Sequence, residues 1–261
     1  MGLPHKMAFF WSSPRMSWMR YLTLASFKHH NPSWDVRVYQ CQTAMNRTWA
    51  TGEMCDAVDY AGPDYLSLVK NLGVEFESVN SDIVSVSPSF ACDLWSYRHL
   101  ATVGGWYADM DILWVKPMPE LTADVVVCHT CSVIGIGFLA GMPGCPVWRD
   151  VHRHARASYN PRDYQACGVT AMQRCFPSVP VARKKYTECS IISVPDDTVY
   201  PWNHTQTSCI FDESRSVPDR TIGIHWFGGH PNSQIWNNRI TRENIGQFNN
   251  TFTRYAEKLK T

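Results

Sequence analysis

Residues 88–115 constrain the fold of this chain more than any other stretch. An apolar helical run over residues 88–103 leads into Gly104-Gly105. A short aromatic segment, Trp106-Tyr107-Ala108, follows and ends in Asp109-Met110-Asp111. Read as helix, tight turn and strand, this order sets two carboxylates at positions i and i+2. Alternate residues of a strand point to one side, so Asp109 and Asp111 are expected to face one site together. Hard oxygen ligands of this kind suit Mg²⁺ or Mn²⁺ held jointly with substrate phosphates. The expected substrate therefore carries a diphosphate.

The remaining segments supply the units of a parallel sheet. Residues 7–11 form an apolar strand, broken by Ser12-Ser13-Pro14. Residues 15–30 read as a helix with Trp18, Tyr21, Leu22, Ala25 and Phe27 on its apolar face, ended at Asn31-Pro32 because proline cannot continue it. A second strand over 35–39 completes a strand–helix–strand opening, the signature of a right-handed parallel crossover. Helices are expected over 63–72, closed by Gly73 as a left-handed cap, and over 146–158, 162–175 and 241–260. Further strands are expected over 112–115, 125–128, 133–139, 191–194 and 221–226. With no internal repeat or low-complexity linker, residues 1–261 read as a single α/β domain whose central sheet is flanked by helices.

Composition removes several alternatives. Hydrophobic residues make up 44% and charged residues 18%, which excludes wholesale disorder. Lys plus Arg number 24 against 23 Asp plus Glu, without the basic excess of a nucleic-acid binder. Eleven tryptophans suit a carbohydrate site, although core packing accounts for most such rings. The ten cysteines are scattered, with one C-x-x-C at Cys128 and Cys131. Zinc needs a second ligand pair at a recognisable spacing, and the strand-like Val125-Val126-Val127 makes Cys128 a small hydrophobe. No apolar run reaches membrane length, and neither a signal-peptide core nor a myristoylation motif is legible. The expectation is a cytoplasmic protein without a transmembrane segment, in a host's cytoplasm if it is a viral or bacterial effector. Asn46-Arg47-Thr48, Asn203-His204-Thr205 and Asn249-Asn250-Thr251 match glycosylation acceptors, a pattern common by chance.

Asp93-Leu94-Trp95-Ser96-Tyr97-Arg98-His99-Leu100, followed by the octet Gly104 to Asp111, resembles the DxD sugar-binding region of glycosyltransferase family 32. That family includes outer-chain mannosyltransferases and capsular-polysaccharide transferases, with clostridial toxin glucosyltransferases as more distant relatives. A bare D-x-D carries little information; the extended pattern on a helix, turn and strand is specific. Looser likeness extends to Phe9-Phe10-Trp11, to Asn31-Pro32-Ser33-Trp34-Asp35-Val36, to residues 195–202, and to His225-Trp226 with Gly228-Gly229.

The resemblance implies a GT-A-type fold with a Rossmann-like mixed central sheet. It also implies a hexosyltransferase that moves a sugar from a UDP- or GDP-sugar to a hydroxyl of a glycan, lipid or protein acceptor, with retention of configuration. Asp111 would bind Mn²⁺ or Mg²⁺ directly, and Asp109 would hold the ribose or reach the ion through water. Asp93 would contact donor-sugar hydroxyls, and Tyr107 would wall the donor pocket. Trp11 would stack on the base, Trp226 would lie against the donor, and His225 would give a third metal contact or touch the diphosphate. The segment 204–220 and the chain after Trp226 are expected to close over the donor.

One position departs from the family pattern. Where an arginine is usual, three residues after the helical aspartate, this chain has Ser96. Arg98 lies two residues further on, about 200° around the helix. Two other classes remain open: an Mg²⁺-dependent phosphohydrolase of the haloacid-dehalogenase type, which also uses Asp-x-Asp, and a non-catalytic nucleotide-sugar-binding protein.

Overall fold

The computed structural model describes residues 2–41, 60–80, 87–131 and 133–259. The acceptor-like Asn46-Arg47-Thr48 lies outside them. β1 (Lys6–Trp11) is apolar on both sides, with Met7 and Phe9 in one apolar layer and Ala8 and Phe10 in the other, as period-two alternation requires. α1 (Trp18–His30) begins later than residue 15 because Ser17 caps it, its Oγ accepting the Arg20 N–H at 3.2 Å. β2 (Asp35–Gln40) then pairs parallel to β1.

The helix expected over 63–72 is a shorter 3₁₀ turn, Leu66–Leu72. Its entry is held by the Asp64 carboxylate, which accepts the N–H groups of Met16 and Leu66. Gly73 closes it at φ 67°, the left-handed cap anticipated. After β3 (Glu75–Ser78) come α2 (Pro88–Thr102), β4 (Gly105–Ala108), β5 (Ile112–Trp114), β6 (Val125–Thr130) and β7 (Val133–Gly141). Then follow α3 (Pro146–Ala157), α4 (Val169–Cys175), α5 (Val179–Lys185), β8 (Ile191–Val194), α6 (Ser208–Phe211), β9 (Gly223–His225), α7 (Pro231–Arg239) and α8 (Thr251–Ala256).

Two expected helices are corrected. The one over 162–175 is helical only as α4. Ahead of it, Asn160 and Asp163 bond their own backbone two residues on, at 3.0 Å each, an alternative to helix that short polar side chains favour. The C-terminal helix over 241–260 breaks into 3₁₀ turns and α8, because Asn250 and Thr253 form a reciprocal cap in its middle. The sequence reading missed β3, α5, α6 and α7.

Among the described residues, seven strands form one mixed sheet in the order β3-β2-β1-β4-β7-β6-β8, and β5 pairs with β9 in a second, two-stranded sheet. The first four strands are parallel, and β7 runs antiparallel to β4 and β6. One apolar layer packs α1, β5 and β9 against the main sheet; the other packs α2, α3 and α4 on the opposite face. This is the α/β architecture expected from the sequence. No helix among the described residues is long and apolar enough to cross a membrane.

Candidate functional site

β1 has β2 on one side and β4 on the other, so the strand order reverses between β1 and β4. In an open α/β sheet, such a reversal leaves a crevice beyond the carboxyl ends of the strands, where ligands bind. Trp11 ends β1, and Asp109 directly follows β4.

The two carboxylates converge, but not by strand alternation. β4 stops at Ala108, and Asp109 to Asp111 form a turn into β5. The Asp109 N–H still donates to the Gly137 carbonyl at 2.9 Å, which fixes it beside β7. The Asp111 carbonyl accepts the Trp226 N–H at 2.8 Å, and β5 pairs with β9 with Ile112 opposite His225. That pairing carries His225 to the acids. Its Nε2 lies 3.3 Å from Asp111 Oδ1 and 3.5 Å from Asp109 Oδ2.

Each acid is oriented by different neighbours. The Tyr107 hydroxyl donates to Asp109 Oδ1, and Cys92 Sγ lies 2.8 Å from the same phenol oxygen. Asp111 Oδ2 accepts the Gly228 N–H at 2.6 Å and has Arg20 Nη1 3.8 Å away. Burial opposes ionisation of Asp111, yet the charges of His225 and Arg20 and the Gly228 N–H together hold its carboxyl below the ordinary value. Asp93 goes the other way. Burial, reinforced by the charge of Asp109, pushes its carboxyl well above the usual range.

A divalent ion fits this arrangement. One ligand atom each from Asp109, Asp111 and His225 lie within 4.8 Å of one another. Asp111 Oδ1 is buried and accepts no hydrogen bond among the described residues, with His225 Nε2 3.3 Å away, so a cation there would add a direct contact to it. Gly137 keeps the space open, since a Cβ there would stand 2.5 Å from Asp109 Oδ2 and 3.0 Å from His225 Nε2. Two carboxylates and an imidazole suit a divalent cation.

Beside this cluster lies a cavity of about 680 Å³, reached by Asp93 from α2, Asp109, His225, Tyr200, Phe227 and the loop 162–165. Tyr107 and Trp226, expected to contact the donor, are buried and do not line it. Tyr107 holds Asp109 instead, and Trp226 supports Arg20, whose guanidinium carbon lies 4.6 Å from its ring centroid. Trp11 is half-buried, 6.0 Å from the same guanidinium. Ser96 is buried, its hydroxyl donating to the Asp93 carbonyl at 2.9 Å, so it lends the cavity no cation. Sequence reading missed Arg20, Gly137, Tyr200 and the loop 162–165. Only Tyr200 carried a hint, through the loose likeness of residues 195–202.

No family model and no curated protein matches this chain. Among solved structures, the PaToxG glycosyltransferase is similar over 72% of this chain and 75% of its own, at 14% identity and a TM-score of 0.48. The galactosyltransferase LgtC, in complex with donor and acceptor sugar analogs, is similar over 98% of this chain and 96% of its own, at 13% identity and a TM-score of 0.41.

Proposed function

We propose that the chain is a metal-dependent glycosyltransferase of GT-A type, its catalytic domain spanning residues 1–261. In this reading it moves a hexose from a UDP- or GDP-sugar to an acceptor hydroxyl. The observation that carries the proposal is the Asp109–Asp111–His225 cluster at the strand-order reversal, opening onto a cavity that Asp93 also reaches. Asp111 and His225 would hold Mn²⁺ or Mg²⁺, with Asp109 as the third ligand or as a contact to the ribose. When bound, the ion supplies Lewis-acid stabilisation of the departing diphosphate.

The protein's own groups set the geometry around it. Tyr107 fixes the rotamer of Asp109, and Gly228 fixes that of Asp111. Asp93, whose carboxyl is pushed upward by burial and the charge of Asp109, would meet the hydroxyls of the transferred sugar. Trp11, at the end of β1, would stack on the base. Asp93, Asp109 and Asp163 are carboxylates that line the cavity. With Asp93 and Asp109 assigned to binding, the route expected is a same-face displacement assisted by the leaving phosphate, with retention. The acceptor would be a glycan, lipid or protein hydroxyl. Buried thiols such as Cys128 and Cys167 suit a reducing cytoplasm, the protein's own or a host's.

Incubation with a panel of UDP- and GDP-hexoses and Mn²⁺ tests the reading. Nucleoside diphosphate release supports it. Inorganic phosphate released from phosphate esters supports a phosphohydrolase, and metal-dependent donor binding without turnover on any acceptor supports a binding protein.

A further inference from the structure

Arg20 sits in the first turn of α1, where the helix dipole disfavours a cation. Helix stability therefore does not explain it. Its side chain is one-fifth exposed and stacks on Trp226. It also fills the space above Gly228, where a Cβ would collide with its Nη2. It reaches Asp111 Oδ2 at 3.8 Å and the Trp11 ring at 6.0 Å. The guanidinium is thus near both the ring proposed to stack on a base and the carboxylate proposed to hold an ion. In a nucleoside diphosphate, the interval from base to ion is spanned by ribose and phosphates.

Charge gives the same answer. Asp109 and Asp111 together cancel one divalent ion, so a diphosphate arriving with it brings negative charge that the cluster does not offset. Ser96 on α2 is buried and offers no charge to offset it. Arg162 lines the cavity from the loop 162–165, whereas the guanidinium of Arg20 lies beside the ion-holding carboxylate Asp111, with planar paired donors that match phosphate oxygens.

We infer that Arg20 is the diphosphate-holding cation of this site, recruited from α1 and presented by Trp226 and Gly228. The inference rests on the glycosyltransferase reading and names the group that grips its leaving diphosphate.

Titration calorimetry on the full chain tests it, with Mn²⁺ alone, UDP or GDP with Mn²⁺, and pyrophosphate with Mn²⁺ as probes. Arg20→Gln is expected to weaken UDP or GDP and pyrophosphate at least about tenfold, as loss of a charge-assisted contact should, while Mn²⁺ alone changes less than about threefold. Arg20→Lys keeps the charge without the fork and falls between, which keeps the test valid if the glutamine variant folds poorly. Unchanged UDP, GDP and pyrophosphate affinity in both variants overturns the inference and leaves the glycosyltransferase reading intact. An equal loss for Mn²⁺ alone also overturns it, because Arg20 then acts only by orienting Asp111. A loss for UDP or GDP without one for pyrophosphate overturns it in favour of a role in base stacking. If the unaltered protein binds neither UDP nor GDP with Mn²⁺, the glycosyltransferase reading itself falls.

Discussion

Gly137 on β7 lies so close to Asp109 that any side chain there meets the carboxylate, with a Cβ 2.5 Å from Oδ2. The same Cβ would stand 3.0 Å from His225 Nε2. Both contacts fall on the atoms proposed to hold the metal, so the missing side chain keeps the ion's position open. Gly137→Ala is expected to weaken Mn²⁺ binding by on the order of tenfold or more, the equivalent of an overpacking cost of about 1–3 kcal/mol. Calorimetric Mn²⁺ titration, with circular dichroism to confirm the fold, checks this; unchanged affinity would count against the site.

Tyr107→Phe removes the hydroxyl that fixes Asp109 and leaves Cys92 without its phenol partner. A hydrogen bond to a charged group contributes about 1.5–3 kcal/mol, so Mn²⁺-dependent nucleotide affinity should fall roughly tenfold or more. The ring itself stays packed in the core, so the melting temperature should move little. If Tyr107 instead walled the donor pocket by its ring alone, phenylalanine would bind as well as tyrosine.

His99 gives the fold a pH dependence of known sign. Its ring packs on Trp95 and Tyr39 at centroid distances of 4.7 and 4.8 Å. Burial, aided by the charges of Arg98, Lys6 and Arg37, lowers its pKa to about 4 from the ordinary 6.5. Between those values the unfolded chain binds a proton that the folded chain does not. Stability must therefore fall as pH drops from 6.5 towards 4, by up to about 3 kcal/mol from this residue. Denaturant unfolding across that window should show a shallower fall in His99→Phe, which keeps the stacking but does not titrate. Parallel curves for the two proteins would exclude His99 as the source.

Segment 204–220 was expected from sequence to close over the donor, and in the structure it places His204 at the cavity. Amide hydrogen exchange in that segment should slow when nucleoside diphosphate and Mn²⁺ are added together, as for a closing lid. Exchange that is indifferent to the ligand would mean the cavity mouth is already in its bound form.

What could be read from the sequence follows from how local each signal is. β1, α1, β2 and α2 are set by apolar periodicity, proline breaks and caps within a few residues, and they lie close to where the pattern put them. Asp93, Asp109, Asp111 and His225 were legible because two of them share one octet and the others sit in recognisable strings. Arg20 was not, because its meaning comes from packing on Trp226 and Gly228, far away in the chain. Gly137 was invisible for a similar reason: its role is the space it leaves beside Asp109. The broken C-terminal helix shows a local failure, with the Asn250–Thr253 cap overriding an otherwise helical run.

The central claim is that Asp109, Asp111 and His225 hold a divalent ion that carries the donor's diphosphate. Mn²⁺ electron paramagnetic resonance titration, with and without UDP or GDP, on the unaltered protein and Asp111→Asn tests it most directly. The account predicts one Mn²⁺ bound per chain, its spectrum changed by the nucleotide, and binding weakened by on the order of 100-fold or more in the variant, as loss of a direct charged ligand requires. Equal Mn²⁺ binding by the two proteins, or nucleotide binding that ignores the metal, would contradict it.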